Sequence, residues 1–122
     1  MKSYDFELPF PPSINGYWRT FRNRQIISKR GRDYRALAVE AMQSLNLHGE
    51  NLTERLSVRL KLHPPTLRKY DCDNFTKAVF DALTHALFWQ DDEQVDRLTI
   101  IKGDKVKGGK VVVYVEELNK GA

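Results

Sequence analysis

Leu56-Ser57-Val58-Arg59-Leu60-Lys61-Leu62 is the stretch on which the fold turns. Apolar and polar residues alternate along it, so successive side chains face opposite ways and one face is oily. It is a half-buried β-strand, and Pro64-Pro65 closes it. The period then changes. From Asp73 to about Leu87, the residues Phe75, Val79, Ala82, Leu83, Ala86 and Leu87 fall on one helical face. Asp71 or Asp73 is placed to cap that helix. A further strand follows over Val95–Lys102, Gly108-Gly109 reads as a hairpin turn, and Lys110–Glu117 is a closing strand rich in valine.

Working towards the N-terminus, Tyr4, Phe6 and Leu8 alternate with Ser3, Asp5 and Glu7 as a first strand, stopped by Pro9 and Pro11-Pro12. Residues 10–27 read as a long basic and aromatic loop with a short strand near Gln25–Ile27; loops of that length usually carry function. Ser28 is a plausible N-cap, weakened by Gly31. Tyr34, Leu37, Ala38, Ala41, Met42 and Leu45 form a helical stripe, and His48-Gly49 ends it. The order β-α-β-α-β-β predicts an α+β (mixed α/β) fold, with two helices packed on a mixed sheet in one domain over residues 1–122.

Composition narrows the function. A chain of 122 residues with 41% apolar content can bury a core. Its single cysteine, Cys72, allows neither an internal disulfide nor a zinc-binding thiolate cluster. The N-terminus does not read as a signal peptide, and no apolar run reaches membrane-spanning length, so a soluble protein of a reducing compartment is expected. The charge is lopsided: residues 1–70 hold 13 Lys/Arg against 6 Asp/Glu, whereas residues 71–122 hold 7 against 10. Arg19, Arg22, Arg24, Lys29, Arg30, Arg32 and Arg35 face one acid, Asp33, within a single segment interleaved with Tyr17, Trp18, Phe21 and Tyr34. Cations interspersed with rings suit a nucleic acid, through phosphate contacts and base stacking. A solvated loop followed by the polar face of a helix would show the same composition.

The acids that follow carry the chemistry. Asp71 and Asp73, two apart on extended chain, present their carboxylates to one side, and Lys77 lies one turn beyond Asp73. Asp91 and Asp92 come after the helix. They reach Asp71 and Asp73 only if the chain doubles back or a second subunit supplies them. Hard carboxylate oxygens suit Mg²⁺, which neutralises the charge developed in phosphodiester hydrolysis, and a lysine beside them can bind the phosphate. Each acid also has a plainer reading, Asp71 or Asp73 as a cap, Asp91-Asp92 as a solvated turn and Lys77 as a partner of Asp73. A calcium loop is excluded, because Phe75 takes the fifth position and the sixth-position glycine is missing. His48, His63 and His85 lack ligand spacing. Cys72 and Phe88-Trp89 read as packed residues.

Asp71-x-Asp73-Asn74-x-x-Lys77-Ala78-x-Phe80-Asp81-Ala82-Leu83, followed by Phe88-Trp89-x-Asp91-Asp92-x-x-Val95, resembles the RusA family of Holliday junction resolvases. Leu8-Pro9-x-Pro11-Pro12-Ser13-x-Asn15-x-Tyr17 and Lys107-Gly108-Gly109 are similar to that family in the same order. The resemblance implies a homodimeric, Mg²⁺-dependent crossover junction endonuclease of recombination and repair. It would nick four-way branched DNA symmetrically in a cytosine-pair context, with no small-molecule cofactor and no membrane partner. It implies Asp71, Asp73 and Asp92 as essential metal-binding carboxylates, Asp91 as a supporting acid and Lys77 as the essential lysine. Family members are often prophage-encoded, which implies a cytoplasmic, nucleoid-associated location. The segment before Asp71 can be a longer arginine run in the family; here it is Arg68-Lys69-Tyr70. DNA contact is therefore expected from Arg19, Arg22, Arg24, Lys29 and Arg30 together with Arg68 and Lys69. The alternatives are a less selective flap or branched-DNA nuclease and a non-catalytic basic DNA-binding module.

Overall fold

In the computed structural model, which describes residues 2–118, the strand at Leu56–His63 (β4) takes a central place. Leu56, Val58, Leu60 and Leu62 are all buried, and the residues between them are not. On one side β4 pairs antiparallel with β6 (Lys110–Glu117), and on the other parallel with β5 (Val95–Lys102). The first strand, β1 (Ser3–Leu8), adds antiparallel to β6, so the sheet runs β1-β6-β4-β5. Val111, Val113 and Val115 of β6 join the four residues of β4 in an apolar layer.

Two helices cover that layer. In α2 (Lys29–Ser44), Tyr34, Ala38 and Met42 are buried; in α3 (Thr76–His85), Ala78, Val79, Phe80, Ala82 and Leu83 are. Ser28 caps α2 as expected, its side chain accepting from the Gly31 amide. Gly31 is needed for packing: a Cβ there would lie 2.9 Å from the Tyr17 carbonyl oxygen and 2.7 Å from Ile27 Cγ1. The expected stripe on α2 is too wide, since Leu37 and Leu45 are about half exposed. The helix stops earlier than His48-Gly49, with Asn46 in the left-handed conformation and the Leu47 amide donating back to Met42.

Three further expectations are corrected. The loop at 10–27 holds a short helix α1 (Ile14–Tyr17) and a two-stranded ribbon, β2 (Trp18–Phe21) paired with β3 (Arg24–Ile27). Among the described residues there are thus three α-helices rather than two. The ribbon turns on Arg22 and Asn23, both at positive φ as a tight type I′ hairpin requires. The α-helix expected from Asp73 begins at Thr76, after a 3₁₀ turn over Cys72–Phe75. Finally, Gly108-Gly109 does not join paired strands. β5 and β6 lie on opposite sides of β4, and their connection steps across its end, with the Gly103 amide donating to Leu62 and the Val106 amide to Pro64. Valine-rich β6 buries one face between two neighbours, whereas charged β5 takes the edge, where it needs only one.

Candidate active site

The chain segment carrying Asp71 and Asp73 leaves β4, passes Pro64-Pro65 and enters the 3₁₀ turn. Its path is held from β5: Lys102 Nζ donates to the Tyr70 carbonyl at 2.7 Å and lies over the Tyr70 ring. Neither acid caps a helix. The turn closes through the Asn74 amide on the Asp71 carbonyl, and no side-chain cap bond forms there or at the start of α3. Both residues are exposed, so their carboxylates remain free for a ligand. Cys72 between them is half-buried against the core, as expected of a packed residue.

Asp91 and Asp92 sit beyond the other end of α3, ahead of β5. Phe88 and Trp89 are fully buried, as expected, and the Trp89 indole donates to Thr84. The Asp91 side chain is a capping group, accepting from the Glu93 amide at 3.0 Å. Gln94 completes the box: its side-chain oxygen accepts from the amides of Gln90 and Asp91, and its amide nitrogen donates to the carbonyls of Leu52 and Glu54. That residue is buried and fixes the acidic turn to the chain before β4. Sequence reasoning passed over it.

Lys77, in the first turn of α3, reaches back to within 4.0 Å of the Asp92 carboxylate. Burial raises the Asp92 carboxyl above the ordinary range. Lys77 opposes that shift, and the neighbouring Asp91 and Asp81 carboxylates reinforce it. Asp92, Asp91 and Lys77 therefore form one charged group. Asp71 and Asp73 do not close on it: among the described residues no three acids, histidines or cysteines stand near enough together to hold a metal ion. The donor chemistry suits a hard divalent cation, but a single chain supplies it from before and after α3 without gathering three donors among the described residues.

One turn past Lys77 lies Asp81, which in the sequence stands out only as part of a motif. Asp81 accepts hydrogen bonds from the Tyr17 hydroxyl and from Arg35 Nε, the latter at 2.6 Å. Burial alone would raise its carboxyl; Arg35, Tyr17 and Lys77 outweigh it and hold Asp81 below the usual carboxylate range. An acid four residues beyond Lys77 on a helix face was the available signal. This contact joins α1, α2 and α3 behind the charged group. A depressed folded value means the stabilisation is fully present above the unfolded carboxyl pKa of about 3.9 and is lost as pH falls through the folded value. The urea midpoint of the wild type should accordingly exceed that of Asp81→Asn at pH 7, and the gap should close as pH drops below about 4. A gap independent of pH would contradict this.

Basic side chains surround the acids unevenly. Arg30, Arg68 and Lys69 line a cleft of about 410 Å³ whose wall includes Phe10, Phe75 and Tyr70. Tyr70 is the residue just before Asp71, and its buried hydroxyl has no partner among the described residues. Arg19, Arg22 and Arg24 stand on the ribbon and do not line this cleft. Lys29 is paired with Asp33 at 2.8 Å on the exposed side of α2. His63 bonds the Asp104 carbonyl and serves structure.

A small α+β domain with free carboxylates and a lysine set beside a basic, aromatic-lined cleft has the means of a phosphodiester hydrolase. The chain belongs to the RusA family: the family model described as Endodeoxyribonuclease RusA matches residues 9–116. Crossover junction endodeoxyribonuclease rusA of Enterobacteria phage HK97 is 39% identical over 97% of this chain and 98% of its own length. The proteins of the same name from Shigella sonnei (strain Ss046) and Escherichia coli (strain K12) are 38% and 37% identical, each over 97% of this chain and 98% of their own length. The protein is an endodeoxyribonuclease that hydrolyses DNA phosphodiester bonds.

Proposed function

We propose that this protein resolves four-way DNA junctions as a Mg²⁺-dependent homodimer, with Asp71 and Asp73 of one subunit and Asp92 of the other making up each metal site. The observation that carries this reading is that no group of three such donors forms among the described residues of one chain, Asp71 and Asp73 coming before α3 and Asp91 and Asp92 after it. A twofold dimer repeats both pairs and lets each complete the other, and a four-way junction has symmetry to match. The edge strand offers a surface for such a partner. Leu98 of β5 shares the core face with Val58 by register, yet it is 41% exposed.

The roles follow from position. Arg30, Arg68 and Lys69 hold phosphates along the cleft, and Arg19, Arg22 and Arg24 hold them on the ribbon. Lys77 keeps a positive charge beside Asp92, where it meets the phosphate being cleaved. Asp91 spends its side chain on holding the turn that presents Asp92. When bound, a divalent cation neutralises charge on the scissile phosphate and makes water a stronger nucleophile. Phage and bacterial relatives, with no helix among the described residues long and apolar enough to cross a membrane, suit work on the nucleoid in the cytoplasm.

Mixed dimers test the composite site. Asp73→Asn and Asp92→Asn homodimers should each be inactive on a four-way junction. A heterodimer of the two carries one site with both defects and one site with neither, so it should nick one strand at close to the wild-type rate per site. If all three acids acted within one chain, both sites of that heterodimer would be broken and no activity would return.

A further inference from the structure

The ribbon of β2 and β3 pairs with no other strand among the described residues, and it carries an aromatic ring into solvent. Its base is fixed: Trp18 and Ile27 pack against the core, the Ser28 amide donates to Tyr17 and Arg32 donates to the Ile27 carbonyl. Its tip is the tight Arg22-Asn23 turn, and directly before that turn stands Phe21, 50% exposed. The guanidinium carbons of Arg19 and Arg22 lie 5.8 Å and 5.3 Å from the centre of the Phe21 ring. Arg24 follows the turn on the other strand.

A large ring left in water at such a tip contributes little to folding. The collar of guanidinium groups selects what could cover it. A neutral apolar surface would have to strip water from those charges without replacing its hydrogen bonds. A nucleic acid offers an apolar base face flanked on both sides by phosphates, which is the pattern of the tip turned inside out. Inserting a side chain into linear duplex means prying stacked pairs apart. At a branch one face of the terminal pair is already open, so that cost falls.

We propose that Phe21 is a wedge that stacks on the open base pair at the branch point of the DNA substrate, with Arg19 and Arg22 gripping the phosphates on either side. The proposal rests on the junction reading above and adds to it the residue that recognises the branch.

The test uses the full chain in metal-free buffer, with a four-way junction carrying 2-aminopurine at the branch and a linear duplex of the same sequence. Phe21→Ala should bind the junction about tenfold more weakly, bind the duplex as the wild type does, and lose the change in branch-point emission. Phe21→Trp should restore both the junction affinity and the emission change. Equal loss on junction and duplex, or unchanged junction affinity and emission in Phe21→Ala, would overturn the wedge. So would dissociation of the Phe21→Ala dimer in sedimentation, which would mark the ring as a contact between copies. Wild-type protein that fails to prefer the junction over the duplex would defeat the junction reading itself and the wedge with it; a wild type that prefers the junction, beside a neutral Phe21→Ala, would defeat the wedge alone.

Discussion

Asp73→Asn is expected to lower DNA nicking about a thousandfold while leaving the fold and metal-free DNA binding intact. An amide has nearly the shape of the carboxylate but lacks its charge, and a hard divalent cation binds it far more weakly. Metal charge neutralisation in phosphodiester hydrolysis is worth several kcal/mol, and each 1.36 kcal/mol is about tenfold in rate. The structure separates this effect from loss of stability. Asp73 is exposed and makes no cap bond at the 3₁₀ turn or at α3, so its replacement removes no folding contact among those described. Its thermal midpoint should match that of the wild type. Binding in metal-free buffer should hold or improve, because one negative charge leaves the neighbourhood of a phosphate. The measurements are single-turnover nicking of a four-way junction and affinity for that junction in chelator. Nicking within tenfold of the wild type would remove Asp73 from the metal site.

How much of this could be read in the sequence differs by element. Strands β1, β4 and β6 announce themselves because each buries one face, and burial of one face is what alternation records. Pairing is a different matter. The glycine pair at 108 and 109 marks a real turn, with the Gly109 amide donating to Val106, but a turn between antiparallel strands does not require them to be neighbours. What decides it is demand for cover. Val111, Val113 and Val115 need a core and two partners, whereas Asp96, Arg97, Thr99 and Lys102 tolerate an edge. The strand expected near Gln25–Ile27 is present as β3, but its partner β2 and the turn between them stayed hidden for another reason. The ribbon's strands have four residues each, too few for a period, and its turn is Arg-Asn rather than the glycine-containing pairs that signal such hairpins.

The candidate site shows the same division. Acids near each other in sequence, Asp71 with Asp73 and Asp91 with Asp92, are visible as pairs, and Lys77 is visible as a helical neighbour of Asp73. The contact of Lys77 with Asp92 depends on the tertiary fold. So do the supports: Tyr17 and Asp81 are 64 residues apart, Arg35 and Asp81 46, and Leu52 and Gln94 42. A polar side chain that satisfies distant backbone carries no local mark, because its neighbours in sequence are not its partners.

Gln94 makes the strongest case that such a support matters, and Gln94→Leu is expected to destabilise the protein by about 3–5 kcal/mol. The amide uses all its capacity for four hydrogen bonds, two accepted from Gln90 and Asp91 and two donated to Leu52 and Glu54, at 2.8 to 3.0 Å. Leucine has similar bulk and makes none of them. The carbonyls and amides left behind lie around a buried side chain, where an unmet group costs about 1–3 kcal/mol, and relaxation towards water recovers part of the total. A domain of this size has only about 5–15 kcal/mol in hand, so the urea midpoint should drop by a large fraction of its value. The functional consequence follows from the same bonds. They hold the turn that presents Asp92 opposite Lys77, and Asp91, whose own amide Gln94 fixes, closes that turn by accepting from the Glu93 amide. Nicking should fall at temperatures where circular dichroism still reports a folded protein, whereas Asp73→Asn should lose nicking at unchanged stability. A Gln94→Leu variant with wild-type midpoint and wild-type nicking would show that the chain before β4 and the acidic turn are held together by something other than this amide.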